Sequence, residues 1–271
     1  MIKVIILGAI GRIGKLLIKT ITSEKNFKLI GAVINPKNKL IGKDIGEIIG
    51  LGKLNIKTVG NIKDIKNKFD TIIDFTNTKL SLKNLEYCYK NKKSIIIGTT
   101  GFKKKQLKKI KMFKNKVPFV LSANMSIGAN IISDIIIKIT KKLIIKDFDI
   151  EIIEYHHNKK IDCPSGTALF IGKKIAEIIG YSLNTLKVYL KKNGPRIKNT
   201  IGYSIIRAGD IIGEHKIIYA SKSGEIIEIN HKVTNRLVFA YGALVAAKWI
   251  KNKKNGYYTM QDVLKEEKKF V

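Results

Sequence analysis

At 271 residues and 45% hydrophobic content, the chain is long enough to bury a substantial core as one large domain or two smaller ones, and no apolar run reaches the roughly 18 uncharged residues needed to span a bilayer. The only cysteines, Cys88 and Cys163, make neither a disulfide framework nor a metal-site spacing, which points to the cytoplasm. The formal charge of +31 invites a nucleic-acid partner, but only four of the 52 basic residues are arginine, at 12, 196, 207 and 236, and the lysines are spread along a chain also rich in isoleucine and asparagine; binding faces concentrate charge, so the expectation is a solvated basic surface with neither nucleic acid nor membrane as partner.

Ile2 to Leu7 (IKVIIL) is a short β-branched run bounded by glycine, a buried parallel strand. It flows into GAIGRIGK and a helical pattern, LLIKTITS, instead of a signal-peptide cleavage site. Phe27 to Ile34 completes a βαβ unit, which must cross over right-handed. The alternation continues with strands at Thr71 to Phe75, Ser94 to Ile97 and Val117 to Leu121 and helices at Leu80 to Tyr89 and Lys104 to Phe113. This pattern predicts an α/β fold: a doubly wound, Rossmann-type parallel sheet covered on both faces. After a helix over Ile127 to Leu143 the character changes. Phe148 to Tyr155 alternates apolar and acidic residues, and Thr200 to Ala208, Glu214 to Ser221 and Glu225 to Lys232 follow with glycine-containing turns. A second α+β domain on an open mixed sheet is expected there. Arg236 to Ile250 is an apolar helix returning to the first domain. The predicted division is therefore 1–126 with 236–271 for dinucleotide binding, and 127–235 for the substrate and oligomerisation.

Gly8, Gly11 and Gly14 form a GxxGxxG turn, short of the strict dinucleotide fingerprint. Its place between the first strand and the first helix still suits a pyrophosphate, because glycine admits the phosphate to the backbone and the helix amides face it. Asn35 falls at the ribose-reading position and, with Lys37 and Lys39 beyond it, lacks the charge that would repel a 2′-phosphate; the same residues also read as a plain Asn-Pro turn. Gly98-Thr99-Thr100-Gly101 ends a parallel strand on the ligand-collecting edge, or is an ordinary capped turn.

Two of the four histidines stand together in EYHHNKKIDCPSGTA, Glu154 to Ala168. On an extended segment His156 and His157 face opposite ways, so one can serve a reacting centre as proton carrier while the other braces or meets a substrate group. A zinc site on both histidines with Asp162 or Cys163 is disfavoured by Lys159 and Lys160, and no metal is expected. Lys160 suits an anion. Ser165 reads as an N-cap, leaving the Gly166 and Thr167 amides to complete a carboxylate cradle; a capped helix behind a basic loop is the alternative.

GAIGRIG, DFT at Asp74 to Thr76, GTTGF, SANMSIGAN at Ser122 to Asn130, the histidine segment and RAGDIIGEH at Arg207 to His215, in this order and spacing, resemble the bacterial 4-hydroxy-tetrahydrodipicolinate reductases of the diaminopimelate route to lysine. The resemblance covers nearly the whole chain. It implies a cyclic dicarboxylate substrate, hydride from NADPH or NADH, and a homotetramer built through the second domain's sheets. Residue by residue, it implies that His156 carries the catalytic proton with Lys160 as second catalytic group. His157, Gly166 and Thr167 would then meet the substrate, and Ser165, as the start of that helix, is counted with them. Gly8, Ala9, Ile10, Gly11, Arg12, Ile13, Asn35, Gly98, Thr99, Thr100, Ser122, Ala123, Asn124 and Met125 would meet the nucleotide. Asn35 and Pro36 depart from the acidic and arginine residues common there, Lys159 replaces a histidine, and Met125 occupies a position that can be aromatic. The HH-x-x-K segment argues against a related dehydrogenase acting on another amino-acid intermediate. The expected working arrangement has the nicotinamide in a cleft closed by the second domain, with hinges near residues 126 and 236.

Overall fold

The computed structural model describes residues 1–143, 148–189 and 194–266. In chain order the elements are β1 (Ile2–Leu7), α1 (Arg12–Ser23), β2 (Phe27–Val33), α2 (Ile45–Ile49), β3 (Thr58–Val59), β4 (Thr71–Asp74), α3 (Thr78–Lys90), β5 (Ser94–Ile97), α4 (Lys104–Lys111), β6 (Pro118–Leu121) and α5 (Ile127–Leu143). There follow β7 (Phe148–His156), α6 (Gly166–Ile179), α7 (Leu183–Leu186), β8 (Lys187–Val188), β9 (Ile201–Arg207), β10 (Gly213–Ser221), β11 (Ile226–Val233), α8 (Leu237–Ile250), β12 (Gly256–Tyr258) and α9 (Met260–Glu266). They divide into two units, Met1–Ile127 with the segment from Arg236 onward, and Gly128–Asn235.

The first unit is a seven-stranded sheet in the order β12-β6-β5-β4-β1-β2-β3, with every pair parallel. The period-two alternation of side chains splits β1 between two cores. Val4 and Ile6 pack with Leu17, Ile18 and Ile21 of α1 and with Ala243, Leu244 and Ala247 of α8. Ile5 and Leu7 pack with Leu85 and Cys88 of α3 and with Ile110 of α4. Burial on both faces explains why these strands read as unbroken apolar runs. Strand order reverses between β1 and β4, so the crevice at their carboxyl ends is the topological switch point where such sheets take ligands.

The second unit carries a five-stranded mixed sheet, β11-β10-β7-β9-β8. β10 pairs antiparallel with β7 and β11, whereas β9 is parallel to β7 and β8. The parallel pair requires a crossover, which α6 supplies. Ile150 and Ile152 of β7, Ile217 and Tyr219 of β10 and Tyr203 of β9 form one core with Ile136 of α5 and Ile171 and Ile175 of α6. The short edge strands β3, β8 and β12 escape sequence reading because two or three residues show no period; β12 nevertheless extends the main sheet through Gly256, Tyr257 and Tyr258.

Candidate active site

At the switch point of the first unit, β1 gives way to Gly8 at φ +79°, where an added Cβ would lie 2.5 Å from the Phe75 carbonyl oxygen. Only glycine takes this conformation and this approach together. The Gly8 and Ala9 amides donate to the Val33 carbonyl, and the Gly11 amide donates to that of Gly8. Gly11 then stands at the N-cap of α1, so no side chain caps the helix. The first amides of a helix have no intrahelical acceptor, so this terminus offers donors and a positive dipole end to an anion. Gly11 and Arg12 are exposed and Ile10 and Ile13 half-buried, while Ala9 and Met125 belong to the apolar core.

The neighbouring strand ends are tied by Asp74. Its carboxylate accepts from the Thr76 amide at 2.9 Å, the Thr76 hydroxyl at 2.6 Å and Asn84 Nδ2 at 2.9 Å. Burial pushes its pKa up against these bonds. Thr99 is buried, accepting from the Thr76 amide and bonded to the Ser81 hydroxyl, so its side chain braces the turn; Thr100 next to it is exposed. Gly98 faces the Phe75 ring closely enough that a Cβ would meet it at 2.3 Å. The Ser122 hydroxyl bonds the Asn124 carbonyl at 2.7 Å, shaping the Ser122-Ala123-Asn124 turn after β6. Asn35 is exposed after β2, and its Oδ1 accepts from the Lys37 amide at 3.0 Å, so the side chain is engaged in the Asn-Pro turn.

In the second unit the histidine pair sits where β7 ends. His156 is the last strand residue and 8% exposed, whereas His157 is half-buried at the start of the loop. The alternation of the strand puts His156 on the same face as Glu154, which is fully buried. The Ser165 amide donates to both Glu154 oxygens at 2.9 and 3.0 Å, and Arg207 Nη2 donates to Oε1 at 2.8 Å and to the Asp162 carbonyl at 2.9 Å. His215, opposite Glu154 in the β7–β10 register, bonds the Ser165 hydroxyl through Nε2 at 2.9 Å. That hydroxyl also accepts from the Ala168 amide and caps α6, so Ser165 is buried and engaged, while Gly166 is exposed and a Cβ there would meet nothing within 4 Å. Lys160 Nζ pairs with Asp162 Oδ1 at 2.6 Å.

Burial raises the Glu154 pKa, but the Ser165 and Arg207 bonds outweigh it and hold the group below the ordinary carboxylate range. Burial drives His156 down to about 4, with Glu154 pulling up and Lys160 and Arg207 pushing down. Burial also takes His215 down to about 3. Both imidazoles are therefore neutral at pH 7 in the ligand-free protein. Glu154, Arg207 and His215 are the residues that sequence reading missed. The quoted motifs contain all three, but only the strand register shows that they meet.

An all-parallel sheet with an open helix terminus at its switch point, joined in one chain to a unit bearing imidazole, ammonium and helix amides in one loop, places the protein among the two-unit, dinucleotide-dependent reductases. The model for the dihydrodipicolinate reductase N-terminus matches residues 2–125, and that for its C-terminus matches 128–264. The chain is 45% identical over 267 residues to the 4-hydroxy-tetrahydrodipicolinate reductase of Buchnera aphidicola subsp. Baizongia pistaciae, covering 97% of each chain. It is 42% identical over 266 residues to that of Hahella chejuensis, covering 97% of this chain and 99% of the relative. The dipicolinate-bound dihydrodipicolinate reductase from Paenisporosarcina sp. TG-14 shares the fold, with a TM-score of 0.73 at 23% identity over 96% of this chain and 97% of that one. The chain belongs to the dihydrodipicolinate reductase family.

Proposed function

We propose that this chain reduces 4-hydroxy-tetrahydrodipicolinate to tetrahydrodipicolinate with NADH or NADPH, as a step of lysine biosynthesis through diaminopimelate. The observation that carries the reading is the loop from His156 to Thr167, which presents an imidazole, an ammonium and the amides of a capped 14-residue helix within 12 residues of chain. A dianionic ring is the ligand such a loop suits.

The first unit fits the nucleotide: the uncapped start of α1 behind Gly8 and Gly11 would hold the pyrophosphate, Asn35 would meet the adenosine ribose, and Gly98 to Thr100 with Ser122 to Met125 would border the nicotinamide side. Bound there, the reduced nucleotide supplies the hydride. The second unit does the rest. Lys160 exchanges Asp162, whose side chain is 63% exposed and returns to water at little cost, for a substrate carboxylate. The Gly166 and Thr167 amides take up a carboxylate oxygen, and His157 adds a contact from the loop. Negative charge arriving beside His156 raises its affinity for a proton, so the imidazole becomes charged as the site fills and then delivers the proton that completes the reduction. Lysine and helix amides stabilise the electron-rich ring once hydride has arrived.

Loss of near-ultraviolet absorbance from NADPH or NADH, dependent on freshly generated 4-hydroxy-tetrahydrodipicolinate, tests the assignment. Turnover is expected with at least one nucleotide, and the ratio of the two rates reports what Asn35 selects. Folded protein that binds the nucleotide yet leaves the ring unreduced would overturn it.

The same reading makes the protein a cytoplasmic homotetramer. In support, among the described residues the five-stranded sheet has helices, α5 and α6, packed against one face. Its other face presents Ile153, Tyr155, Ile206, Ile218 and Ile226, half-buried or exposed, among Glu214, Lys216 and Glu228. Light scattering at a mass four times the 30.5 kDa chain is the expected result, and a monomer contradicts it.

A further inference from the structure

The proposed chemistry uses His156, Lys160 and the start of α6, and gives no task to the carboxylate beneath them. Glu154 Oε2 lies 3.4 Å from His156 Nδ1 and 3.9 Å from His215 Nε2. The ring of His156 is edge-on to that of His215, 5.3 Å between centroids at 73°. Its Nε2 edge lies over Gly213, where a Cβ would come within 3.2 Å. His156 Nδ1 is buried with no hydrogen-bond partner among the described residues. The charged or titratable groups facing this imidazole are Glu154 from β7, Lys160 and Asp162 from the loop, Arg207 from β9 and His215 from β10.

Resting on the reductase reading, we propose that Glu154 is the positioning residue of the site: its carboxylate fixes His156 as the Nδ1–H tautomer, leaving Nε2 to exchange the proton with substrate.

A neutral imidazole carries its hydrogen on one nitrogen only. With Arg207 and the Ser165 amide keeping Glu154 ionised, a bare Nδ1 would set a lone pair against a buried anion. A hydrogen on Nδ1 turns that repulsion into attraction, and the 3.4 Å separation in the ligand-free site needs only a small closure to become a hydrogen bond. The guanidinium and ammonium groups of Arg207 and Lys160 disfavour a second proton and so keep the ring neutral in the ligand-free site, where the choice of tautomer falls to Glu154. Arg207 also holds the Asp162 carbonyl beside Lys160, and the Ser165 amide precedes α6, so one carboxylate sets imidazole, lysine loop and carboxylate cradle in register. Glu154, His156 and His215 offer ligand atoms within 4.8 Å of one another. A cation is nevertheless disfavoured, because both Glu154 oxygens and His215 Nε2 already have partners and Arg207 adds positive charge.

The test begins with the wild-type protein labelled with ¹⁵N-histidine, its His156 signals assigned by their loss in His156→Gln. Nδ1 should be protonated and Nε2 bare at neutral pH; the Nε2–H tautomer would overturn the proposal. Glu154→Gln should lower kcat about tenfold or more, with KM for ring and nucleotide within about twofold, and should move the basic limb of kcat to lower pH because the charge that favours His156 protonation is gone. A folded Glu154→Gln protein with wild-type kcat and pH profile also overturns it. If that variant does not fold, the wild-type tautomer decides. The tautomer is read without substrate, so an inactive wild type with Nδ1–H at His156 would count against the reaction and not against the role of the carboxylate.

Discussion

The two units build their sites from different materials. The nucleotide edge of the first is made of backbone: glycines at 8, 11 and 98, helix amides, and Thr76 braced by the buried Asp74, all near the ends of adjacent parallel strands. The site of the second is made of charge. Glu154, Arg207 and His215 come from three strands and converge on one imidazole that burial keeps neutral. A backbone site is fixed by conformation and tolerates changes of side chain around it, whereas a buried-charge site depends on every partner, since removing one leaves another uncompensated.

The largest expected effect is on the second site. His156→Ala and Lys160→Ala should each reduce kcat by about 10²- to 10⁴-fold, measured by steady-state turnover, with the melting temperature close to wild type. A milder contrast separates the two glycine types. Gly8→Ala forces a Cβ to 2.5 Å from the Phe75 oxygen at φ +79°, costing about 1–2 kcal/mol from the backbone conformation alone and more from the clash; chemical denaturation should show it. Gly166→Ala meets nothing in the protein, so stability should hold while KM for the ring rises several-fold if this residue faces the substrate carboxylate.

A further expected effect is on acid stability. His156 and His215 are held at about 4 and about 3 against an unfolded value of 6.5. Between pH 6.5 and 4 the unfolded chain binds protons that the folded site refuses, so stability falls as pH falls through this window and is unaffected above it. Melting curves taken from pH 7.5 downward should show the decline, and His215→Gln should flatten it; a flat wild-type profile would contradict the neutral assignment.

Much of the first unit was legible because its signals are local. Strand, glycine turn and helix follow one another within 23 residues, and the turn's function follows from that order. The His156 to Thr167 segment was legible for the same reason, as one loop. Its supports were not. Arg207 lies 53 residues from Glu154, and Ser165 50 from His215, and pairing across a sheet is set by register, which composition and periodicity leave open. Sequence reading made Ser165 the N-cap of α6, as the fold shows; its hydroxyl's second bond, to His215, was out of reach because that partner lies on another strand.

The account's central claim is that nucleotide binding belongs to the first unit and proton handling to the second. Calorimetric titration of NADPH and NADH onto the doubly substituted His156→Ala, Lys160→Ala protein tests it most directly. Wild-type affinity for the nucleotide with turnover abolished is the predicted result; nucleotide affinity lost together with turnover, in a protein that still melts cooperatively, would contradict it.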